Sequence, residues 1–302
     1  MTRWRRLPVR MKGSFSVVAV DPETGCPAVG VYHDVPFAEY AGWNAVNPSL
    51  ALEARVSMRA FRHAEQHQDS VDTAALAFGR ATHVCVWEPD DFPLRYVLWD
   101  GGDRRGKVWK SFWAANVDKC ILSAHDYREA CNMRDSVREH PAARPLFTDQ
   151  YETEVSIVWI DPSSGVLCKS RMDYLGDRIA DLKTARSIQR RAISYAVSDY
   201  GYHVSMAARH DGMYRLGHGA IGPVFVFVCK QPPYEVVVQP FTDAALQRSI
   251  EIWHGLLTDI AEARATGHYR GFADEEVPFE LPPWEMGKQD LGLTMDGEPL
   301  EI

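Results

Sequence analysis

A run of closely spaced strands between residues 154 and 183 constrains the fold of this chain more than any other feature. The β-rich pattern predicts three strands separated by two short turns. The strands are expected at Glu154–Trp159, Val166–Leu175 and Ile179–Lys183, with turns at Asp161–Gly165 and Gly176–Arg178. Strands joined by such short turns pair antiparallel, so this segment is predicted to lie in a central sheet.

Helical patterns precede and follow these strands. Apolar residues recur three and four positions apart in the flanking segments, which indicates helices. The predicted helices are Ser49–Gln66 with Ser49 as its N-cap, Asp72–Cys85 with Asp72 as its N-cap, Lys107–Val117, Ala124–Glu139, Ile188–Asp199, Tyr202–Leu216 and Ala244–Ala265. Further strands are predicted at Ser16–Val20, 94–99, Val224–Cys229 and Glu235–Gln239. Helices before, between and after the strands of one sheet indicate a mixed α/β fold.

The composition is that of a globular protein. The chain has 302 residues, of which 46% are hydrophobic and 25% charged, so a disordered, collagen-like or disulfide-scaffold protein is excluded. This length allows one large domain or two small ones. The longest apolar runs, such as Val224–Cys229, are far shorter than the ~20 residues of a membrane helix, and no apolar stretch follows the basic N-terminus. We therefore expect no membrane span, no signal peptide and a cytoplasmic location.

The six cysteines are scattered along the chain and form no C-x-x-C pair. Zinc and iron–sulfur sites usually have closely spaced ligands, so neither kind of cysteine site is expected. Scattered cysteines in a chain without a signal peptide fit a reducing compartment.

The formal net charge of −8 argues against a protein that coats nucleic acid through an overall positive charge. It leaves a nuclease open, because a metal site needs carboxylates and phosphate contacts can be local. The first twelve residues are nevertheless basic and contain no acid: Arg3, Arg5, Arg6, Arg10 and Lys12. This arm is either a solvated tail or a phosphate contact.

The loop length of the last hairpin decides which side chains meet. A three-residue loop at Gly176–Arg178 pairs Leu175 with Ile179 and places Asp173 opposite Asp181. The same register places Arg171 opposite Lys183. A two-residue loop would send the two aspartates to opposite faces of the sheet.

Two aspartates facing each other in a sheet suit a metal site. Their Cβ atoms would be ~5 Å apart, and like charges at that distance are destabilising unless a cation neutralises them. A neighbouring lysine can orient or deprotonate a water molecule or hold a phosphate, and an arginine can also hold phosphate. The set fits metal-assisted phosphodiester hydrolysis. An ordinary hairpin with surface charges has the same spacing.

Two further residues carry open alternatives. His83 follows Gly79 on a predicted buried helix, where it is either a core histidine or a metal ligand aimed at the sheet. Glu154 starts an apolar strand, where it is either an exposed strand end or a carboxylate that supports the site.

Taken in order, five motifs resemble the nuclease domain of RecE-type exonuclease VIII. This domain belongs to the PD-(D/E)XK superfamily, together with RecB-type, CRISPR-adaptation and lambda exonuclease domains. The motifs are Gly79–His83, Glu154–Trp159, Cys168–Asp173, Ala180–Ala185 and Tyr200–His203. Weaker similarities lie at Trp43–Ser49, Ser57–His63, Trp87–Pro89, Arg104–Trp109 and Pro282–Trp284. The resemblance implies a restriction-endonuclease-like core in one domain over 30–285, preceded by a basic arm and strand over 1–29 and followed by a tail over 286–302.

The resemblance also implies roles for individual residues. The ligands of Mg²⁺ or Mn²⁺ would be His83, Asp173, Asp181 and the backbone carbonyl of Leu182. Lys183 would position the attacking water, and Glu154 would support the site, which makes Asp173, Asp181, Lys183 and Glu154 the catalytic candidates. The candidate DNA contacts are Arg171, Tyr202, Arg105 and Lys107.

The activity that the resemblance implies is digestion of linear double-stranded DNA from the 5′ end. The remaining 3′ tail would serve recombination, with a single-strand annealing protein as a partner, in a phage or prophage setting, and the nuclease could form a ring. One departure is Ser205, where the family often has Gln or Lys. The alternatives are a DNA-binding or recombination-partner module with weak or no catalysis, and an endonuclease of the CRISPR-adaptation or restriction type.

Overall fold

The computed structural model of the protein describes residues 18–67, 73–148, 150–273 and 275–281, and the backbone of 294–295 and 298–299. The basic arm, Asp72, the 282–284 motif and most of the tail lie outside the described residues. Val18–Val20 is described and is not a strand, so the strand predicted at Ser16–Val20 is wrong over this part.

The elements follow the predicted order of helices and strands. The strands are β1 (Gly30–Tyr32), β2 (Tyr96–Trp99), β3 (Cys120–Ser123), β4 (Val155–Ile160), β5 (Leu167–Met172), β6 (Tyr174–Leu175), β7 (Ile179–Ala185), β8 (Pro223–Cys229), β9 (Val236–Pro240), β10 (Thr294–Met295) and β11 (Glu298–Pro299). The helices are α1 (Phe37–Gly42), α2 (Pro48–Glu53), α3 (Met58–Gln66), α4 (Ala74–Trp87), α5 (Phe92–Arg95), α6 (Gly106–Ala115), α7 (Ala124–Glu139), α8 (Arg190–Asp199), α9 (Tyr202–Arg215) and α10 (Asp243–Thr266), with a 3-10 turn at Arg144–Leu146. The predicted mixed α/β class is confirmed. None of the described helices is both long and apolar enough to cross a membrane.

Two sheets meet at the hairpin. One is antiparallel, in the order β1-β4-β5, and the other runs β6-β7-β8-β9 with a parallel β7–β8 pair. Leu175 pairs with Ile179 across the turn, which confirms the three-residue loop. The chain bends at Asp173, the single residue between β5 and β6.

Because of this bend, one predicted pairing of residues is wrong. Arg171 was predicted opposite Lys183, but it pairs with Ser156 of β4, while Lys183 pairs with Phe227 of β8. The physical reason is that β5 belongs to the antiparallel sheet, and only the two residues after the bend pair with β7.

The β7–β8 pair is buried on both faces. Residues such as Ile179 and Phe227 pack on one face with α9 and α10, while Leu182 and Val226 pack on the other with α4 and α7. Because side chains alternate along a strand, Asp181 and Lys183 share the face of Ile179, towards α9. The helices thus cover both sides of the sheet that carries the two charged residues.

One glycine sets the distance between α9 and the sheet. A Cβ built on Gly212 would lie 2.6 Å from Cδ1 of Ile157 and 3.0 Å from Cε3 of Trp159. Both contacts are closer than side chains tolerate, so only glycine permits this approach of α9 to β4.

Four sequence predictions of element boundaries were wrong. The single strand predicted over Val166–Leu175 is two strands, β5 and β6, which belong to different sheets. The helix predicted over Ser49–Gln66 is two helices: Asn47 caps α2 by accepting from the N–H of Leu50 at 2.9 Å, and Ser57 caps α3. Thr73, not Asp72, caps α4. The strand predicted at 94–99 begins at Tyr96, because α5 takes the two residues before it.

Candidate metal centre

Three side chains from three elements converge beside the hairpin. His83 comes from α4, Asp173 from the bend after β5, and Asp181 from β7. One potential ligand atom of each lies within 4.8 Å of the others. Nδ1 of His83 is 3.3 Å from Oδ2 of Asp173. The structure therefore brings together the imidazole and the two carboxylates singled out in the sequence.

Asp181 lies between two cations and is 1% exposed. Nη1 of Arg209 donates to its Oδ2 at 2.9 Å, and Nζ of Lys183 lies 2.9 Å from its Oδ1. The lysine contact lacks hydrogen-bond geometry, so Oδ1 accepts no hydrogen bond. A buried carboxylate oxygen that accepts none can coordinate a cation.

The charges of the cluster are coupled. Burial alone would raise the pKa of Asp173, but the charge and hydrogen bond of His83, with Arg209 and Lys183 nearby, bring that pKa below its usual range. Burial alone would lower the pKa of His83, and the Asp173 carboxylate outweighs it, so the pKa of His83 rises. Each charged group of the pair therefore favours the charged form of the other.

The donor set fits a divalent cation. Carboxylate oxygens are preferred by Mg²⁺ and Mn²⁺, and an imidazole nitrogen is common in transition-metal sites. Three protein ligands would leave coordination positions for water and for a phosphate oxygen. His83 and Asp173 each keep 22% of their side chain exposed, so an ion and a substrate can reach the cluster from solvent.

Glu154 is near the cluster without belonging to it. Its carboxylate pairs with Arg171, which also donates to the carbonyl oxygen of Val35 at 2.8 Å. Burial raises the pKa of Glu154, Arg171 opposes that rise, and Asp173 adds to it. Arg171 is only 13% exposed and already bonded, so its DNA contact stays a prediction, as does a supporting role for Glu154.

Lys183 also touches an aromatic pair. Its Nζ lies 4.5 Å from the ring centroid of Tyr202, and that ring stacks on Tyr200 at 5.4 Å. Tyr200 is 66% exposed, so the pair extends from the buried carboxylate to the surface. Ser205 lies one turn along α9, where its hydroxyl donates to the carbonyl of Gly201 at 3.5 Å.

Three other predicted residues are placed differently. Arg105 and Lys107 lie at the exposed start of α6, outside the metal cluster, and Arg105 pairs with Asp103. The side chain of Leu182 packs in the core on the α4 and α7 side. A carbonyl ligand from Leu182 and DNA contacts from α6 remain predictions.

Sequence reasoning missed Arg209. It is the buried partner of Asp181, and its side chain is 13% exposed. In the sequence, a single arginine directly follows Ala207 and Ala208. The structure buries both alanines fully, on a helix that packs against the sheet. A cation in such surroundings requires a buried anion.

Comparison with known proteins gives a family and a fold. A family model described as "PDDEXK-like domain of unknown function (DUF3799)" matches residues 54–271. A solved structure of a "Putative exonuclease" from Eubacterium rectale has a TM-score of 0.52 and 14% identity, covering 82% of this chain and 94% of that one. At this identity the likeness concerns the fold alone. A second structure, SSO0001, covers 65% of this chain and 82% of its own at 14% identity, with a TM-score of 0.25. No curated protein matches.

Proposed function

Because the chain belongs to the family of PDDEXK-like domains (DUF3799), within the PD-(D/E)XK superfamily of nucleases, we propose that it is a metal-dependent exodeoxyribonuclease. Its substrate would be linear double-stranded DNA. The observation that carries the proposal is the convergence of His83, Asp173 and Asp181 within 4.8 Å, beside Lys183. Metal-assisted hydrolysis of a phosphodiester can use this combination of ion ligands and a cation next to the attacking water.

Each side chain has a distinct task in this proposal. His83, Asp173 and Asp181 would hold Mg²⁺ or Mn²⁺, with the Leu182 carbonyl as a further ligand. The bound ion would polarise a phosphoryl oxygen and lower the pKa of a water molecule. Lys183 would hold that water against the phosphorus atom.

Arg209 would act on the ligands and not on the substrate. Its hydrogen bond to Oδ2 of Asp181 fixes the orientation of the carboxylate. The other oxygen of Asp181 is then left facing the ion. Arg209 is therefore proposed as a positioning residue.

DNA would approach from the side of the exposed tyrosines. Tyr200 is exposed and stacks on the partly buried Tyr202, and unpaired bases at a duplex end can stack on such a ring. Digestion from the 5′ end, a ring of subunits and an annealing protein as partner are the parts of the proposal supported by the RecE-type resemblance alone.

The test is digestion of linear and closed circular duplexes with Mg²⁺, with Mn²⁺ or with EDTA. We expect loss of linear DNA only, and none in EDTA. Asp173→Asn and Lys183→Ala should each lower the rate by about 100-fold or more. Asp177→Asn is the matched control, since Asp177 is an exposed carboxylate in the turn of the same hairpin.

The outcomes separate the alternatives. Cutting of closed circles would make the protein an endonuclease. Tight DNA binding without cutting would make it a binding module, and duplexes labelled at either end report the direction of digestion. Equal activity of Asp173→Asn and the control would remove the basis of the proposal.

A further inference from the structure

A second cluster of potential ligands lies on the other side of α9. Asp161 begins the turn after β4, Asp211 lies on α9 and His254 on α10. One ligand atom of each is within 4.8 Å of the others. Of the residues that the structure describes, only this group and the candidate metal centre bring three such ligands together. None of its members contributes to the proposed nuclease chemistry.

In each carboxylate of this cluster, neighbouring groups bind one oxygen, and the other oxygen faces the imidazole of His254. Oδ2 of Asp161 accepts from the hydroxyls of Ser163 and Ser164, at 2.6 and 2.7 Å, and from the N–H of Ser164 at 2.8 Å. Oδ1 of Asp211 faces Nε of Arg215 at 3.2 Å. Outer partners of this kind orient carboxylate ligands in metal sites.

The two presented oxygens face one imidazole nitrogen. Nε2 of His254 lies 3.1 Å from Oδ2 of Asp211 and 3.8 Å from Oδ1 of Asp161. A zinc ion at ordinary distances from nitrogen and oxygen separates its tetrahedral ligands by roughly 3.4 Å. The observed spacings lie on either side of that value, so small side-chain movements would close the site around an ion.

Oδ1 of Asp161 gives an independent indication. The residue is 0% exposed, and this oxygen has no hydrogen-bond partner although it points into the cluster. An anionic oxygen buried without a hydrogen bond is costly, and a cation closer than His254 would reduce that cost. Arg215 and the serine hydroxyls bind the far oxygens and do not satisfy it.

We propose that Asp161, Asp211 and His254 bind a second divalent cation of the zinc class. Two carboxylates and one imidazole nitrogen are donor types found in zinc sites. His254 is 28% exposed, which gives the ion a path and leaves its fourth position to water. The ion would link the turn after β4 to α9 and α10.

The test measures zinc binding in a protein whose first site is disabled. Full-length Asp173→Asn protein is stripped with EDTA, dialysed against Zn²⁺ and analysed for bound metal and for its thermal midpoint. We expect one equivalent of Zn²⁺ and a rise of about 5–10 °C at 100-fold excess over Kd. His254→Gln in this background should lose both, while His125→Gln, at an exposed histidine on α7, should keep both.

A second variant keeps the test decisive if His254→Gln fails to fold. His254→Lys retains a cation beside the two carboxylates, so it should fold and still bind no zinc. Zinc binding by the His254→Lys protein at one equivalent, or none by the Asp173→Asn protein itself, would overturn the proposal. Neither readout depends on nuclease activity.

Discussion

At the scale of single residues, Asp181 shows how one carboxylate can be both buried and available to an ion. Lys183 approaches one oxygen and Arg209 bonds the other. The two cations offset the cost of burial, and only Arg209 uses a hydrogen bond to do so. A cation that binds Oδ1, the oxygen that Lys183 approaches, would therefore not have to break an existing hydrogen bond.

Replacing Arg209 by methionine should destabilise the protein. The change leaves a buried carboxylate with Lys183 alone, and losing one partner of a buried pair costs about 3 kcal/mol. Urea unfolding measures the effect. Arg178→Met, at an exposed arginine in the hairpin turn, should unfold like the wild type. If both variants were equally stable, Arg209 would not be what compensates Asp181.

At the scale of elements, the distance between α9 and the sheet determines where Arg209 and Asp211 can reach. Gly212 lies on the same helix and packs against Ile157 and Trp159 of β4. A helix held this close cannot slide without opening the core.

Gly212→Ala should therefore lower stability by about 1–3 kcal/mol, since the added methyl group overlaps the core. Gly79→Ala on α4 is the matched control, because its Cβ would meet nothing within 4 Å. There the gain in helix propensity should stabilise by about 0.5–1 kcal/mol. Thermal unfolding of the two proteins compares them, and effects of the same sign would contradict the packing argument.

A second element-scale prediction concerns pH. Glu65 joins α3 to α10 through Arg264 and also pairs with Arg62. Burial alone would raise its pKa, but the two arginines outweigh burial and lower it. A carboxyl group with a lowered folded-state pKa stabilises above its unfolded pKa, and this stability is lost as pH falls through the folded value.

Glu65→Gln should thus lower the free energy of unfolding by about 1 kcal/mol at pH 7. The difference from wild type should shrink as the pH falls. Denaturant unfolding of both proteins between pH 7 and pH 3 measures this. A difference that stayed constant over the range would mean that the carboxylate charge contributes nothing.

The sequence predicted elements better than it predicted contacts. The helix Ala124–Glu139 and the three-residue hairpin loop are as expected, because capping and side-chain alternation are local. The break after α2 was missed because Ser57, the N-cap of α3, lies inside the helix predicted over Ser49–Gln66. Arg209 and the cluster around His254 were missed because their partners lie 28 and 43 residues away along the chain. Spacing along the sequence does not report such pairs.

At the scale of the whole molecule, the proposed DNA binding has to come from local features, because the protein is acidic. With a net charge of −8, attraction can come only from particular basic residues and from the aromatic pair at the site. If about four phosphates are contacted, the slope of log K against log salt should be about −3.6. Fluorescence anisotropy with EDTA present measures it, and a salt-independent affinity would exclude phosphate contacts.

The number of residues in the turn at 176–178 determines whether Asp173 and Asp181 lie on the same side of the hairpin. Side chains of a strand change sides with every residue, so adding two residues to the turn preserves the meeting of Asp173 and Asp181, whereas adding one sends them apart. A protein with one residue inserted there would no longer bring the two carboxylates together, and would lack the proposed metal site. The length of this turn, more than overall similarity, would therefore distinguish relatives that keep the proposed metal site from relatives that lose it.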